Sequence, residues 1–312
     1  MIDTVSIKHA YAVPPDEEYL FRLGALRTRA LRNPTWILKP PPGVYRPILT
    51  FVYTADSGRT HLFAATSLPR LVNGHNARLL NEGELQNGLE VIADYVEGVT
   101  AFPFDPATAL VNRVDYCRDI PVGEGNAARG PLLLYGRHLA RHRREIVEST
   151  LSFKGANSKV RIYDKLAEVR AKGNSLDAIE ASRGNLRVEY ELGTRAVQRI
   201  AKQLHTDRTA AALLTETASS FVMDKLLSDI DFDLCFDDTP SIERLLATYT
   251  TPKAWRLSGY LSMVETYGPM FYLDPKWRYS KREFDKARRD CKKAGAWPRS
   301  PISKEANTCY PL

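Results

Sequence analysis

Arg113-Val114-Asp115-Tyr116-Cys117-Arg118-Asp119 and Arg187-Val188-Glu189-Tyr190-Glu191 are the two stretches whose reading decides the fold. Side chains alternate between faces along a strand, so 113, 115, 117 and 119 share one face, as do 187, 189 and 191. Each face then carries an arginine and two carboxylates, the first within a run flanked by Leu110, Val111 and Val114. Burying carboxylates on a sheet is unfavourable unless they are paired or hold a cation. Two readings follow. The charges form an Arg–carboxylate ladder between adjacent strands, or Asp115 and Glu189 flank one hard divalent ion such as Mg²⁺ or Mn²⁺.

Working outward, residues 2–9, 108–120 and 186–192 read as strands. Residues 45–53 and 60–66, joined across Asp56-Ser57-Gly58, read as a hairpin, and 150–153 with 159–163 across Gly155-Ala156-Asn157 as another. Helices are expected from Pro14 to about Arg29, and over 82–96, 127–147, 165–172 and 194–204; 68–76 reads as irregular. Beyond residue 208 only helices are expected, at 209–229, 241–248, 254–266 and 279–294. These patterns give an α+β class, with an α+β domain over 1–206 and a helical one over 207–312. No internal repeat is visible.

The 312 residues carry 44 Lys and Arg against 37 acids, a formal net charge of +7 that suits a polyanionic partner. Two clusters concentrate it: residues 137–144, including His138, Arg141 and His142, and residues 276–293, where Lys281 and Arg282 lie among aromatics that suit stacking beside phosphate contacts. No apolar run approaches the about 20 residues that a membrane helix needs, and the first residues lack the pattern of a secretory signal. The four cysteines have no CxxC spacing, which argues against a zinc site or a disulfide framework and fits a reducing cytoplasm.

Two further candidates carry chemistry. Gly74-His75-Asn76 offers an imidazole in a loop that suits a metal or a phosphate, or simply a surface hydrogen bond. Arg161-Ile162-Tyr163-Asp164-Lys165 ends a strand with a phenol two residues before a lysine. Such a tyrosine can attack a phosphodiester while the lysine stabilises developing charge, although a hairpin tyrosine more commonly packs.

These segments together resemble the filamentous-phage gene II replication initiators, related to the Rep_trans class of plasmid rolling-circle initiators. The match runs in order through Met1-Ile2-Asp3, Leu68 to Asn76, Arg113-Val114-Asp115, Ser149 to Glu168 and Leu186-Arg187-Val188-Glu189, and more faintly to Tyr279–Ala294. The resemblance implies an HUH-like antiparallel-sheet nicking domain followed by a helical C-terminal region. It implies nicking of one strand of a double-stranded origin, a 5′-phosphotyrosine intermediate, and later rejoining of the strand. Tyr163 is then the nucleophile and Lys165 its electrostatic partner. Asp115 and Glu189 become metal ligands for Mg²⁺ or Mn²⁺, with His75 as a third. Arg113, Arg161, Arg187, Arg141, Lys281 and Arg282 are the expected DNA contacts. Partners would be duplex origin and single-stranded DNA with a host helicase and polymerase, in the cytoplasm of a bacterial host cell. The chain lacks the two-histidine strand of the usual HUH site, and Asp119 fits the plasmid class better than the phage class. The competing readings are a non-catalytic origin- or operator-binding regulator, and a metal-dependent nuclease that cuts with water.

Overall fold

The computed structural model describes the chain except residues 13–15, 29–32, 124–126, 129, 132–133, 135–138, 140–141, 148–149, 174, 231–238, 268–279 and 297–312. Its centre is one ten-stranded, wholly antiparallel sheet in the order β2-β3-β4-β5-β1-β6-β10-β9-β8-β7. The strands are β1 (Ile2–Tyr11), β2 (Leu26–Thr28), β3 (Thr35–Leu38), β4 (Ile48–Thr54), β5 (Arg59–Ser67), β6 (Leu110–Pro121), β7 (Arg143–Val147), β8 (Thr150–Lys154), β9 (Ser158–Asp164) and β10 (Asn185–Leu192). Each half repeats one plan: a strand is laid down, four more form a meander, and the last of these returns to pair with the first. The two founding strands, β1 and β6, meet at the middle. The molecule is therefore α+β, built on a large antiparallel sheet.

Alternation sorts the side chains into two faces. Val5, Ile7, Leu49, Phe51, Leu62 and Ala64 are buried on the inner face, where α3 (Glu82–Thr100) lays down Leu85, Leu89, Ile92 and Val96. A capping box between Asn81 and Glu84 fixes the start of that helix. On the other half, α6 (Thr194–Gln203), α7 (Ala210–Leu213) and α8 (Glu216–Asp229) cover the same face of β6, where the Tyr116 hydroxyl donates to Leu213 O at 2.8 Å. Among the described residues the opposite face is only partly covered, by α4 (Lys165–Ala171), α5 (Leu176–Ala181) and the loop at 74–78, which share a small core of Ala77, Val169 and Ala178.

Several elements depart from expectation. The first helix spans only α1 (Glu17–Arg22): Gly24 turns the chain at φ +79°, and the leucine spacing that continues to Leu26 runs into the edge strand β2. Residues 68–76 contain α2 (Leu68–Asn73), with Pro69 in its first turn and Gly74 closing it at φ +77°. Part of the expected 127–147 helix is instead β7, paired with β8; Arg137, His138 and Arg141 lie outside the described residues.

The main core runs on past residues 206–208. Ala210, Leu213, Val222, Met223, Leu226 and Ile230 belong to it, and so does Ile242 of α9 (Thr239–Thr248). A second cluster begins at Leu245 and joins α9 to α10 (Thr251–Tyr267) and α11 (Lys281–Lys293) through Tyr260, Val264 and Phe284.

Candidate functional site

Register brings the two decisive stretches side by side. Glu191 lies opposite Asp115, Glu189 opposite Cys117 and Arg187 opposite Asp119, while β9 sets Tyr163 against Arg187 and Arg161 against Glu189. All of these occupy the less covered face. This face opens into a cleft of about 440 Å³ lined by Asp3, Arg113, Asp115, Arg161, Tyr163 and Glu189 among others.

Asp3 reaches this face through an irregularity. Ile2 opposes Tyr116 and Val5 opposes Val114, so β1 advances three residues while β6 advances two. Strict alternation would turn Asp3 inward with Val5 and Ile7; the bulge turns it toward the cleft. There Ser67 Oγ donates to Asp3 Oδ1 at 2.7 Å. Ligand atoms of Asp3, Cys117 and Glu189, all buried, lie within 4.8 Å of one another.

The phenol of Tyr163 donates a short hydrogen bond to Glu189 Oε1. Burial raises the Glu189 pKa and the negative Asp3 raises it further, against the pull of Arg161. Burial and the Glu189 carboxylate push the Tyr163 phenol well above its ordinary value, so it is un-ionised at neutral pH. Burial likewise pushes the Cys117 thiol well up. Lys165 is fully buried, 5.8 Å from the Tyr163 ring centroid, and donates to Glu168 Oε2 at 2.9 Å. Burial, reinforced by Arg187, lowers its pKa.

The arginines fall into two kinds. Arg113 makes a two-pronged bond to Asp115 at 2.9 and 2.8 Å and reaches Glu191 at 3.1 Å, yet stays 39% exposed. Arg161 lies 3.4 Å from Glu189 and 3.0 Å from Glu191 and is 31% exposed. Both can turn donors toward an anion in the cleft. Arg187, expected to touch DNA, is 0% exposed. It bonds Asp119 at 2.5 and 2.6 Å and the backbone oxygens of Asn76 and Ala77 at 2.6 and 3.1 Å. It is an interior brace, and Asp119 is its counter-charge. Lys281 and Arg282 are exposed on the first turn of α11.

The expected metal ligands Asp115, Glu189 and His75 are not gathered into one group. Asp115 is held by Arg113 and lies outside the Asp3–Cys117–Glu189 group. His75 is outside it as well: its Nδ1 accepts the Ala77 backbone N–H at 3.3 Å, and its loop serves the site through the carbonyls that hold Arg187. The oxygens of Asp3 and Glu189 fit a hard divalent cation, whereas the buried, protonated Cys117 thiol does not suit one. Asp3 was not among the expected ligands, although it closes the Met1-Ile2-Asp3 segment and is a carboxylate within the apolar start of a strand. Comparison with protein-family models, with curated proteins and with solved structures finds no match.

Proposed function

We propose that this chain is a nicking–joining enzyme of DNA, an HUH-like rolling-circle initiator of the gene II type that acts in a bacterial cytoplasm. The observation that carries the reading is the Tyr163 phenol bonded to the Glu189 carboxylate in a cleft rimmed by two part-exposed arginines. Arg113 and Arg161 would seat the scissile phosphate. Glu189 would take the phenol proton as the Tyr163 oxygen bonds to phosphorus. The P–O3′ bond breaks in the same displacement, leaving a 5′-phosphotyrosine and a free 3′-OH once the leaving oxygen gains a proton. The buried Lys165 ammonium would favour the phenolate character that develops at Tyr163.

Asp3 and Glu189 are the residues that would hold Mg²⁺ or Mn²⁺, which when bound supplies charge neutralisation at the phosphate. The covalent link conserves the phosphodiester, so rejoining needs no ATP. The absence of a GxxxxGK[ST] motif agrees with unwinding by a host helicase and extension by a host polymerase.

The test uses labelled DNA from the replicon that encodes the chain, with Mg²⁺ or Mn²⁺, followed by denaturing electrophoresis and mass spectrometry of the attached peptide. The expected product is an adduct on the peptide containing Tyr163, absent in Tyr163→Phe. An adduct that persists in Tyr163→Phe overturns the assignment. Cleavage that survives Tyr163→Phe without an adduct, yet is lost in Glu189→Gln, indicates hydrolysis by water.

A second reading is favoured by the internal pairing of Asp115 with Arg113 and of Asp119 with Arg187. In it these charges only brace the sheet of a non-catalytic DNA-binding regulator. Asp115→Ala would then destabilise the protein, and no metal would support cleavage.

A further inference from the structure

The half-sheet that mirrors the cleft half has the opposite electrostatic character. Strands β3, β4 and β5 contain no Asp or Glu, and the only acid of β1 is Asp3, at the cleft. On the less covered face this region presents cations instead. Lys8 lies opposite Phe63, with its ammonium 5.9 Å from the ring centroid. His61 lies opposite Ala10 and two residues from Phe63, Arg59 is exposed at the start of β5, and Arg208 approaches from the chain that bonds Val111. Burial and Arg208 lower the Lys8 pKa, and burial, Lys8 and Arg59 lower that of His61. Among the described residues, His61 Nδ1 is buried without a hydrogen-bond partner. The cations Lys8 and Arg59, on strands that carry no acid beside them, and Arg208 favour an anion from outside.

Apolar surface interleaves the charge. Ile37, Thr50 and Phe63 lie on consecutive strands of this face and are partly exposed, as is Val52 opposite His61. The patch is continuous with the cleft, because Ser6 lies between Ala65 and Arg113.

We infer that this face of β4, β5 and β1 is a track for single-stranded DNA leading to the Tyr163 cleft. Lys8, Arg59 and Arg208 hold phosphates, and Phe63 with its apolar neighbours stacks bases. A single strand fits because its bases can lie flat on the sheet, whereas reading a duplex groove needs a protruding helix or ribbon. The track rests on the nicking reading for its purpose, but its test does not depend on that chemistry.

The experiment measures anisotropy of a labelled oligothymidylate on the full chain carrying Tyr163→Phe, across a salt series. Adding Lys8→Gln with Arg59→Gln should weaken binding about tenfold and flatten the log–log salt slope by about 1.4, or about 0.7 for each phosphate that is no longer neutralised. Phe63→Leu should weaken it about fivefold with the slope unchanged. Arg195→Gln with Lys202→Gln, matched in charge but exposed on α6 across the sheet, should stay within about twofold, and melting curves confirm that each variant is folded. Track variants that bind like the parent, or a control that weakens as much as they do, overturn the inference. So does a duplex or an RNA of equal length that binds as tightly and is weakened as much by the same substitutions. Failure of Tyr163 to form an adduct, with the track variants still impaired, rejects the nicking reading alone.

Discussion

Arg187 is the largest fully buried side chain among the described residues, and its guanidinium answers Asp119 and two loop carbonyls at once. Removing one member of such a group strands the others away from water. Arg187→Met is therefore expected to lower stability by about 3–5 kcal/mol in urea denaturation. An unchanged midpoint with a selective loss of DNA affinity would return Arg187 to the surface role that sequence alone suggests. Strand alternation made Glu189 and Asp115 legible, because a charged residue on an apolar strand stands out whichever face it takes; Tyr163 was singled out only by its place two residues before Lys165. It did not separate the exposed Arg113 from the buried Arg187: both occupy the same kind of position, and only the loop at 74–78 and the helices behind it bury the second. Asp3 escaped for the converse reason, since its orientation is set by a bulge that leaves no residue signature.

At the scale of elements, α4 shows how a short helix supports a buried cation. Glu168 stands three residues from Lys165 and four before Lys172, and bonds both. Burial opposes its ionisation, but Lys165 and Lys172 together hold its pKa below the usual carboxylate range. A carboxylate whose folded pKa is depressed stabilises the fold above its unfolded value, and that contribution is lost as pH falls through the folded one. Wild type should thus exceed Glu168→Gln by roughly 2 kcal/mol above about pH 4.5, with the gap closing at lower pH. A gap independent of pH would show that the ion pair is not its source. The elements read well where period and punctuation agreed, as in β5, β6, β10 and α3. They failed where one period overran another: the leucine spacing 20, 23, 26 continues through Gly24 into β2, and the arginine-rich 143–147 segment takes strand pairing at the sheet edge despite its helix-like composition. The reading of 68–76 as irregular misses α2, although Pro69 and Gly74 stand where such residues bracket a helix.

The whole molecule is organised by where its core is continuous. Helices α7 and α8 pack on β6 and share its core, so the change from mixed to helical sequence near residue 207 is not a seam in the packing. Truncation after residue 206 should expose Val114 and Tyr116 and abolish cooperative unfolding by circular dichroism. A soluble, sharply melting 1–206 fragment would show that the seam is real. The repetition of strand order between halves could not be read beforehand, because it is a repetition of connections without one of residues. It also bears on how the chain is made on the ribosome. The first five strands can zip together early, yet the inner edge of β1 stays open until residues 110–121 emerge, and β6 in turn awaits residues 185–192. Unpaired edges invite pairing with other chains, and distant pairings close slowly. This protein is accordingly expected to refold slowly from denaturant, and to gain yield from low concentration or a chaperone that shields β1 during the wait.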